Sequence, residues 1–205
     1  WRNIMEGMER LDLLGADEWT VECNPATLSL DKAKLLRAAG VNRISMGVQS
    51  LDAGLLERLG RVHSREMVFK SYDCLRAAGF ERINLDLMFA IPSQTMEIWK
   101  ASLRETADLE PEHLSCYEVI YEQDTPLYEQ LQAGEFEVHE DLACDMFEEL
   151  VAFGGERGYH QYEVANFARH SGGEGFEIPS EACRHNINYW RGGDYVGIGP
   201  GAHGR

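Results

Sequence analysis

Residues 185 to 190 read HNINYW, inside the run CRHNINYWRGGDYVGIGPGAHG. Six positions hold an imidazole (His185), two carboxamides (Asn186, Asn188) and two large aromatics (Tyr189, Trp190). That composition serves either to hold a ligand or to close a packed turn in which His185 bonds a backbone carbonyl, and lone histidines are more often structural. Cys183 lies two residues before His185, and Cys-x-His alone is a weak metal signal. His203, in PGAHG, is a second and weaker ligand candidate. Glycines 197, 199, 201 and 204 give spacing like GxGxG, but no strand-to-helix context supports a dinucleotide fingerprint. Close approach of that backbone to a ligand is the expectation left open. Elsewhere Glu22, Gln49 and Asp86 lie in otherwise apolar runs, and Arg61 follows Gly60 in RLGRVH.

The elements that carry these residues come from a repeat. LLRAAGVNRISMGVQ (35–49) and CLRAAGFERINLDLM (74–88) are near copies. In each, a helix runs into a glycine (Gly40, Gly79) where a helix end needs a left-handed residue. An apolar residue and an Arg-Ile pair then enter a strand. Strands are predicted at 20–23, 43–49, 82–90 and 113–120. Helices fill the gaps, with Ser29 or Asp31, Ser50, Ser64 and Thr95 as N-caps. Alternation of this kind gives a parallel sheet with right-handed crossovers, either doubly wound or a barrel. Strands of such sheets are buried on both faces, so a polar group inside one is costly. Three of them on successive strands point to a polar pocket at the strands' C-terminal ends; Arg61 could reach its mouth or be an ordinary surface arginine. Taken alone, Glu22 and Asp86 would make an acid and base for an ordinary βα-barrel enzyme.

After residue 121 the pattern changes. YEQDTPLYEQLQAGEF reads as a loop with a short helix. Residues 139 to 159 form an amphipathic helix with Leu142, Met146, Phe147, Leu150 and Val151 as its stripe. HQYEVANFA is an extra strand, and HSGGEGFEIPSEAC a surface loop. Two regions are expected, 1–121 and 122–205. The first residues, WRNIMEGMERLDLLG, read as an amphipathic helix with Ile4, Met5, Met8, Leu11 and Leu14 apolar. They have no signal-peptide character. With no initiator Met, the chain is read as a piece of a longer protein.

The net charge of −16 over 205 residues argues against nucleic-acid binding. No apolar run reaches about 18 residues. The five cysteines, 23, 74, 116, 144 and 183, are odd in number and scattered. They form no strong zinc or cluster motif, and free thiols fit a reducing cytoplasm. Cys23 and Cys116 are read as small core residues.

ECNPATL, GVNRISMGVQSLDAGLLERLGRVHS and INLDLMFAIPSQT together resemble radical S-adenosylmethionine proteins of the oxygen-independent coproporphyrinogen oxidase group. HNINYW is similar to the HNxxYW motif of that group's heme-chaperone branch. The resemblance runs from Glu22 to Gly204. It implies a partial TIM-type (βα) barrel with a smaller α+β C-terminal region and missing N-terminal strands. It also implies S-adenosylmethionine held by Glu22, Gln49, Arg61 and Asp86. Carboxylates suit ribose hydroxyls, and the amide and guanidinium suit ribose or the methionine carboxylate. It further implies heme held by His185 and Tyr189, with His185 on the iron, since imidazole is a good axial ligand and aromatic rings give flat apolar area. Partners would be heme or a porphyrin and a heme-accepting protein, with only transient membrane contact. The alternative activity is oxidative decarboxylation of coproporphyrinogen III to protoporphyrinogen IX. The family's CxxxCxxC and GGGTP segments are not in this chain, so ligands for a 4Fe–4S cluster would lie before Trp1. The chain by itself is expected to be inactive.

Overall fold

A computed structural model describes residues 1–173 and 175–205. Its helices are α1 (Arg2–Arg10), α2 (Leu30–Ala38), α3 (Ala53–Arg58), α4 (Arg65–Ala77), α5 (Met96–Asp108), α6 (Pro126–Gln132), α7 (Glu140–Glu156) and α8 (Arg184–Trp190). Its strands are β1 (Thr20–Cys23), β2 (Arg43–Gln49), β3 (Ile83–Phe89), β4 (His113–Glu118), β5 (Tyr159–Gln161) and β6 (Asn166–Arg169). One sheet runs in the order β1-β2-β3-β4-β6-β5. The first three pairings are parallel, and those of β6 with β4 and β5 are antiparallel. The sheet is open, with β1 and β5 at its edges, so the α/β architecture is a partial barrel wall. Residues beyond 122 contribute β5 and β6 to this same sheet. HQYEVANFA is therefore two short strands of a hairpin, where one strand was expected. Glu174, in the loop read from HSGGEGFEIPSEAC, lies outside the described residues.

The repeated junction is built identically twice. The Val41 amide donates to Leu36 O and the Phe80 amide to Leu75 O, each closing its helix around a glycine with positive φ, 102° at Gly40 and 84° at Gly79. This is a helix ending that glycine permits without a side-chain clash. The repeat's arginine braces the same turn in both copies, Arg37 Nη1 on Val41 O at 3.5 Å and Arg76 Nη1 on Phe80 O at 3.1 Å. Ser29, Ser64 and Thr95 cap α2, α4 and α5 through the amides of Lys32, Met67 and Ile98. The cap of α3 is Asp52, not Ser50. The Asp52 carboxylate accepts from Leu55 N at 2.9 Å, and Ser50 Oγ is used instead by Asp52 N at 3.1 Å.

One face of the parallel strands is apolar and packs under the helices. Ile44, Met46, Val48, Ile83, Leu85 and Leu87 are fully buried there, against Leu36, Leu75, Trp99 and Leu103. The other face is mostly polar, with Met88 its apolar exception. Burial of apolar side chains on both faces does not hold: polar and apolar residues alternate in β2 and, as far as Leu87, in β3, while β4 is buried from His113 to Cys116 with two polar side chains among them. On α7, Met146 and Leu150 enter the core as expected, while Val151 is exposed. On α1 only Met5 is buried, and Ile4 and Leu11 face solvent. Among the described residues no helix is long and apolar enough to cross a membrane.

Candidate functional site

The polar face lines a cleft of about 1190 Å³. β1 supplies Thr20 and Glu22; β2 supplies Arg43, Ser45 and Gln49; β3 supplies Asn84, Asp86 and Met88; β4 supplies His113, Ser115 and Tyr117. Parallel pairing sets Glu22 beside Ser45 and Gly47 beside Asp86, and Gln49, past the register break in β2, lines the same cleft. Arg61, exposed beyond the end of α3, reaches the same cleft. His185 and Asn186 of α8 close another side. Glu22, Gln49, Arg61, Asp86 and His185 therefore share one cavity.

Asp86 sits at the centre. Ser45 Oγ lies 3.1 Å from Oδ2 and Asn84 Nδ2 donates to Oδ1 at 2.6 Å. Burial pushes the carboxyl up to about 6 despite these donors, and the charge of Glu22 adds to the rise. A half-buried carboxylate holding unused lone pairs is suited to accept hydrogen bonds from a ligand's hydroxyls. Burial, reinforced by Asp86, also pushes the Cys23 thiol up to about 12. Cys116 packs in the core and Cys23 against it, and burial pushes both thiols up, away from the thiolate form.

Gln49 ends β2 in the left-handed region, φ 65°, after a break in register between Gly47 and Gln49. A side chain rarely takes that conformation without support. Here His63 supplies some of it, being buried with Nε2 2.9 Å from Val48 O. Gly47 makes the room: a Cβ there would lie 2.9 Å from Gln49 Nε2. Gly47→Ala is thus expected to keep the fold within about 1 kcal/mol, while displacing the Gln49 amide and weakening any nucleoside binding in the cleft several-fold. Isothermal titration beside a urea melt checks both halves.

HNINYW is neither a loop nor a packed turn. It is helix α8, with His185 exposed and Tyr189 and Trp190 more than half exposed. Among the described residues His185 bonds no carbonyl, and its place on an exposed helix face replaces the packed-turn reading. Its N-terminal amides are held instead: Arg184 N donates to Glu18 Oε1 at 2.8 Å and Cys183 N to Tyr162 Oη at 3.2 Å. His185 and Tyr189, four apart, share a helix face, and both meet Tyr195, at 6.3 and 5.7 Å between ring centroids. A shallow groove of about 400 Å³ runs along α8, lined by Tyr117, Val164, Ala165, Tyr189 and Trp190 among others. His185 borders both this groove and the polar cleft.

Several expectations are corrected. His203 is exposed and lines neither the cleft nor the groove. The glycine run folds back on itself, Tyr195 and Arg205 exchanging backbone hydrogen bonds, and a side chain at Gly197 would strike the His203 backbone. Gly197 and Gly204 thus serve backbone-to-backbone contact, while Gly199 and Gly201 take positive φ in the turn between them. Cys183 turns inward, its Sγ 3.5 Å from Glu18 Oε1, so it does not pair with exposed His185. All five cysteines are free, and among the described residues no three ligating side chains gather for a metal ion. These residues do not fit a 4Fe–4S cluster. The cleft residues do fit a polar nucleoside ligand, as Asp86's unused lone pairs among its polar neighbours indicate.

The residues missed from sequence are Arg43, Ser45, Asn84, His113, Ser115, Tyr162 and Tyr195. The first five were signalled by alternation in RISMGVQ, INLDLMF and HLSCYE. Tyr162 and Tyr195 carried no local signal.

A parallel-stranded partial barrel with its polar cleft on the inner face defines the class: the chain belongs to the radical SAM superfamily, whose family model matches residues 1–105. It is 41% identical over 206 residues to the "Heme chaperone HemW" of Bacillus subtilis (strain 168), covering 99% of this chain and 52% of that protein. It is 37% identical to the HemW of Escherichia coli (strain K12), covering 100% and 51%. Coproporphyrinogen III oxidase (HemN) from Escherichia coli shares its fold at a TM-score of 0.79, with 24% identity over 99% of this chain and 48% of that one. The chain spans about half the length of the curated relatives it matches. The family resemblance read from GVQS, the DLM strand and HNxxYW is borne out. Membership implies S-adenosylmethionine and a 4Fe–4S cluster.

Proposed function

We propose that this chain carries the S-adenosylmethionine cleft and the heme-holding helix of a heme chaperone. The observation that carries the reading is the position of His185. It stands where a polar cleft containing Glu22, Gln49, Arg61 and Asp86 meets an apolar groove flanked by Tyr189 and Trp190.

In this reading Glu22 and Asp86 accept ribose hydroxyls, and Gln49 and Arg61 donate to ribose oxygens or to the methionine carboxylate. His185, exposed on α8, offers an imidazole lone pair to heme iron. Tyr189 and Trp190 cover apolar macrocycle area. Heme would be cargo for an accepting protein in the cytoplasm. Identity of 37–41% to proteins named heme chaperones supports this over the oxidase reading, since the likeness to HemN at 24% identity is one of fold.

The test is hemin titration of the full-length protein followed by the Soret band. His185→Ala should lose the shifted band or weaken binding at least about tenfold, the scale of one strong ligand contact. An unchanged titration removes His185 from the role. Decarboxylated product from coproporphyrinogen III, in an anaerobic incubation with S-adenosylmethionine, would put the oxidase reading first.

A further inference from the structure

Asp86 and α8 are joined by an unbroken chain of side-chain hydrogen bonds through the sheet. Asn84 Nδ2 donates to Asp86 Oδ1 at 2.6 Å and lies 2.8 Å from Ser45 Oγ, which fixes the amide nitrogen on the carboxylate side. Asn84 Oδ1 therefore faces His113 Nδ1, at 2.6 Å. A carbonyl oxygen only accepts, so the proton sits on His113 Nδ1. Burial keeps the imidazole neutral, and nearby Arg43 acts in the same direction. His113 Nε2 then presents its lone pair to the Tyr162 hydroxyl, 2.7 Å away. The Tyr162 oxygen in turn accepts from Cys183 N at 3.2 Å and from Asn186 Nδ2 at 3.3 Å. Every link donates toward Asp86, an arrangement in which each bond polarises the next. Asn84 and His113 are buried, so no solvent substitutes for a broken link.

We propose that His113 and Tyr162 are positioning residues that tie α8 to Asp86, so that S-adenosylmethionine in the cleft and heme on His185 favour one another. This rests on the heme reading above. A ribose hydroxyl on Asp86 fixes the carboxylate, and Asn84, His113 and Tyr162 are ordered in sequence. Heme then docks on a helix whose first turn is already held, and pays less ordering entropy. The effect is reciprocal by thermodynamic linkage. Residues that only filled the core would leave the two affinities independent.

The experiment titrates hemin into the full-length protein with and without saturating S-adenosylmethionine. The cofactor should tighten hemin binding by about fivefold or more in the wild type. In Tyr162→Phe the ratio should fall to about one, because the hydroxyl that joins His113 to α8 is gone. Asn186→Ala cuts the link at its solvent end, where the core is untouched, and should also lower the ratio. A wild-type ratio of one, or a ratio kept in both variants, overturns the coupling while leaving heme binding intact. A wild type that binds no hemin overturns the heme reading itself, and the coupling with it.

Discussion

Asp86→Asn should make the protein harder to unfold at pH 8 and at the same time nearly unable to hold S-adenosylmethionine. Both effects have one cause. The carboxyl rises from 3.8 to about 6 on folding, mainly through burial. A carboxyl with a raised folded pKa is most favourable when protonated, below the unfolded value near 3.8, and loses that contribution as the pH climbs through about 6. At pH 8 the wild type carries the full cost of the buried charge, at most about 3 kcal/mol. Asparagine removes the charge and keeps an oxygen for Asn84 and Ser45, so a gain of about 1–2 kcal/mol is expected. The gain should vanish below about pH 4. Comparing the two proteins at each pH cancels His113, whose neutrality penalises the fold below its ordinary pKa of 6.5. The loss of ligand follows from charge-assisted hydrogen bonds, worth about 1.5–3 kcal/mol, or roughly 10- to 100-fold in affinity. Urea melts between pH 4 and 8, beside isothermal titration, read both. A variant less stable than wild type at pH 8 would contradict the electrostatic part.

Trp99→Ala should be the most damaging single change in the core. The Trp99 ring is fully buried, 5.7 Å from the centroid of Phe89 on β3. Its Nε1 donates to Met146 O on α7 at 2.9 Å. One side chain thus joins the sheet, α5 and the long helix that covers β5. Truncation removes the ring's burial and leaves a cavity, at a cost of about 3–5 kcal/mol, against a total stability of about 5–15 kcal/mol for ordinary domains. Trp99→Phe keeps most of the volume and loses the hydrogen bond, so about 1–2 kcal/mol is expected. The order Ala well below Phe, in urea melts of the full-length protein, checks it. Equal costs would mean that the hydrogen bond, not the packing, matters there.

Much of this fold is legible in the sequence because its junctions are local. Gly40 and Gly79 mark helix ends by a backbone requirement that few other residues meet, and the arginine before each sits where it must to brace the turn. Asp52 displaced Ser50 as a cap because two capping residues two positions apart compete, and only the carboxylate reaches Leu55 N. The cleft was legible in part. Glu22, Gln49 and Asp86 were visible as polar exceptions, but the strands carry a largely polar face, and Ser45, Asn84 and His113 follow from period-two alternation alone. Tyr162 lies 49 residues from His113 and reaches it only because β6 returns antiparallel beside β4. Such a contact is set by tertiary packing. The nature of HNINYW was also hidden: its six residues suit a short helix or a turn equally well, and Glu18 and Tyr162, both distant in sequence, hold the helix start.

The most direct test of the central claim, that the polar faces of β1 to β3 form one ligand-binding surface, is a crystal structure of the full-length protein with S-adenosylmethionine. The adenosyl group is expected against the strands, within hydrogen-bonding distance of Asp86 and of Glu22 or Gln49. A nucleoside bound elsewhere, with those side chains left to solvent, would contradict it.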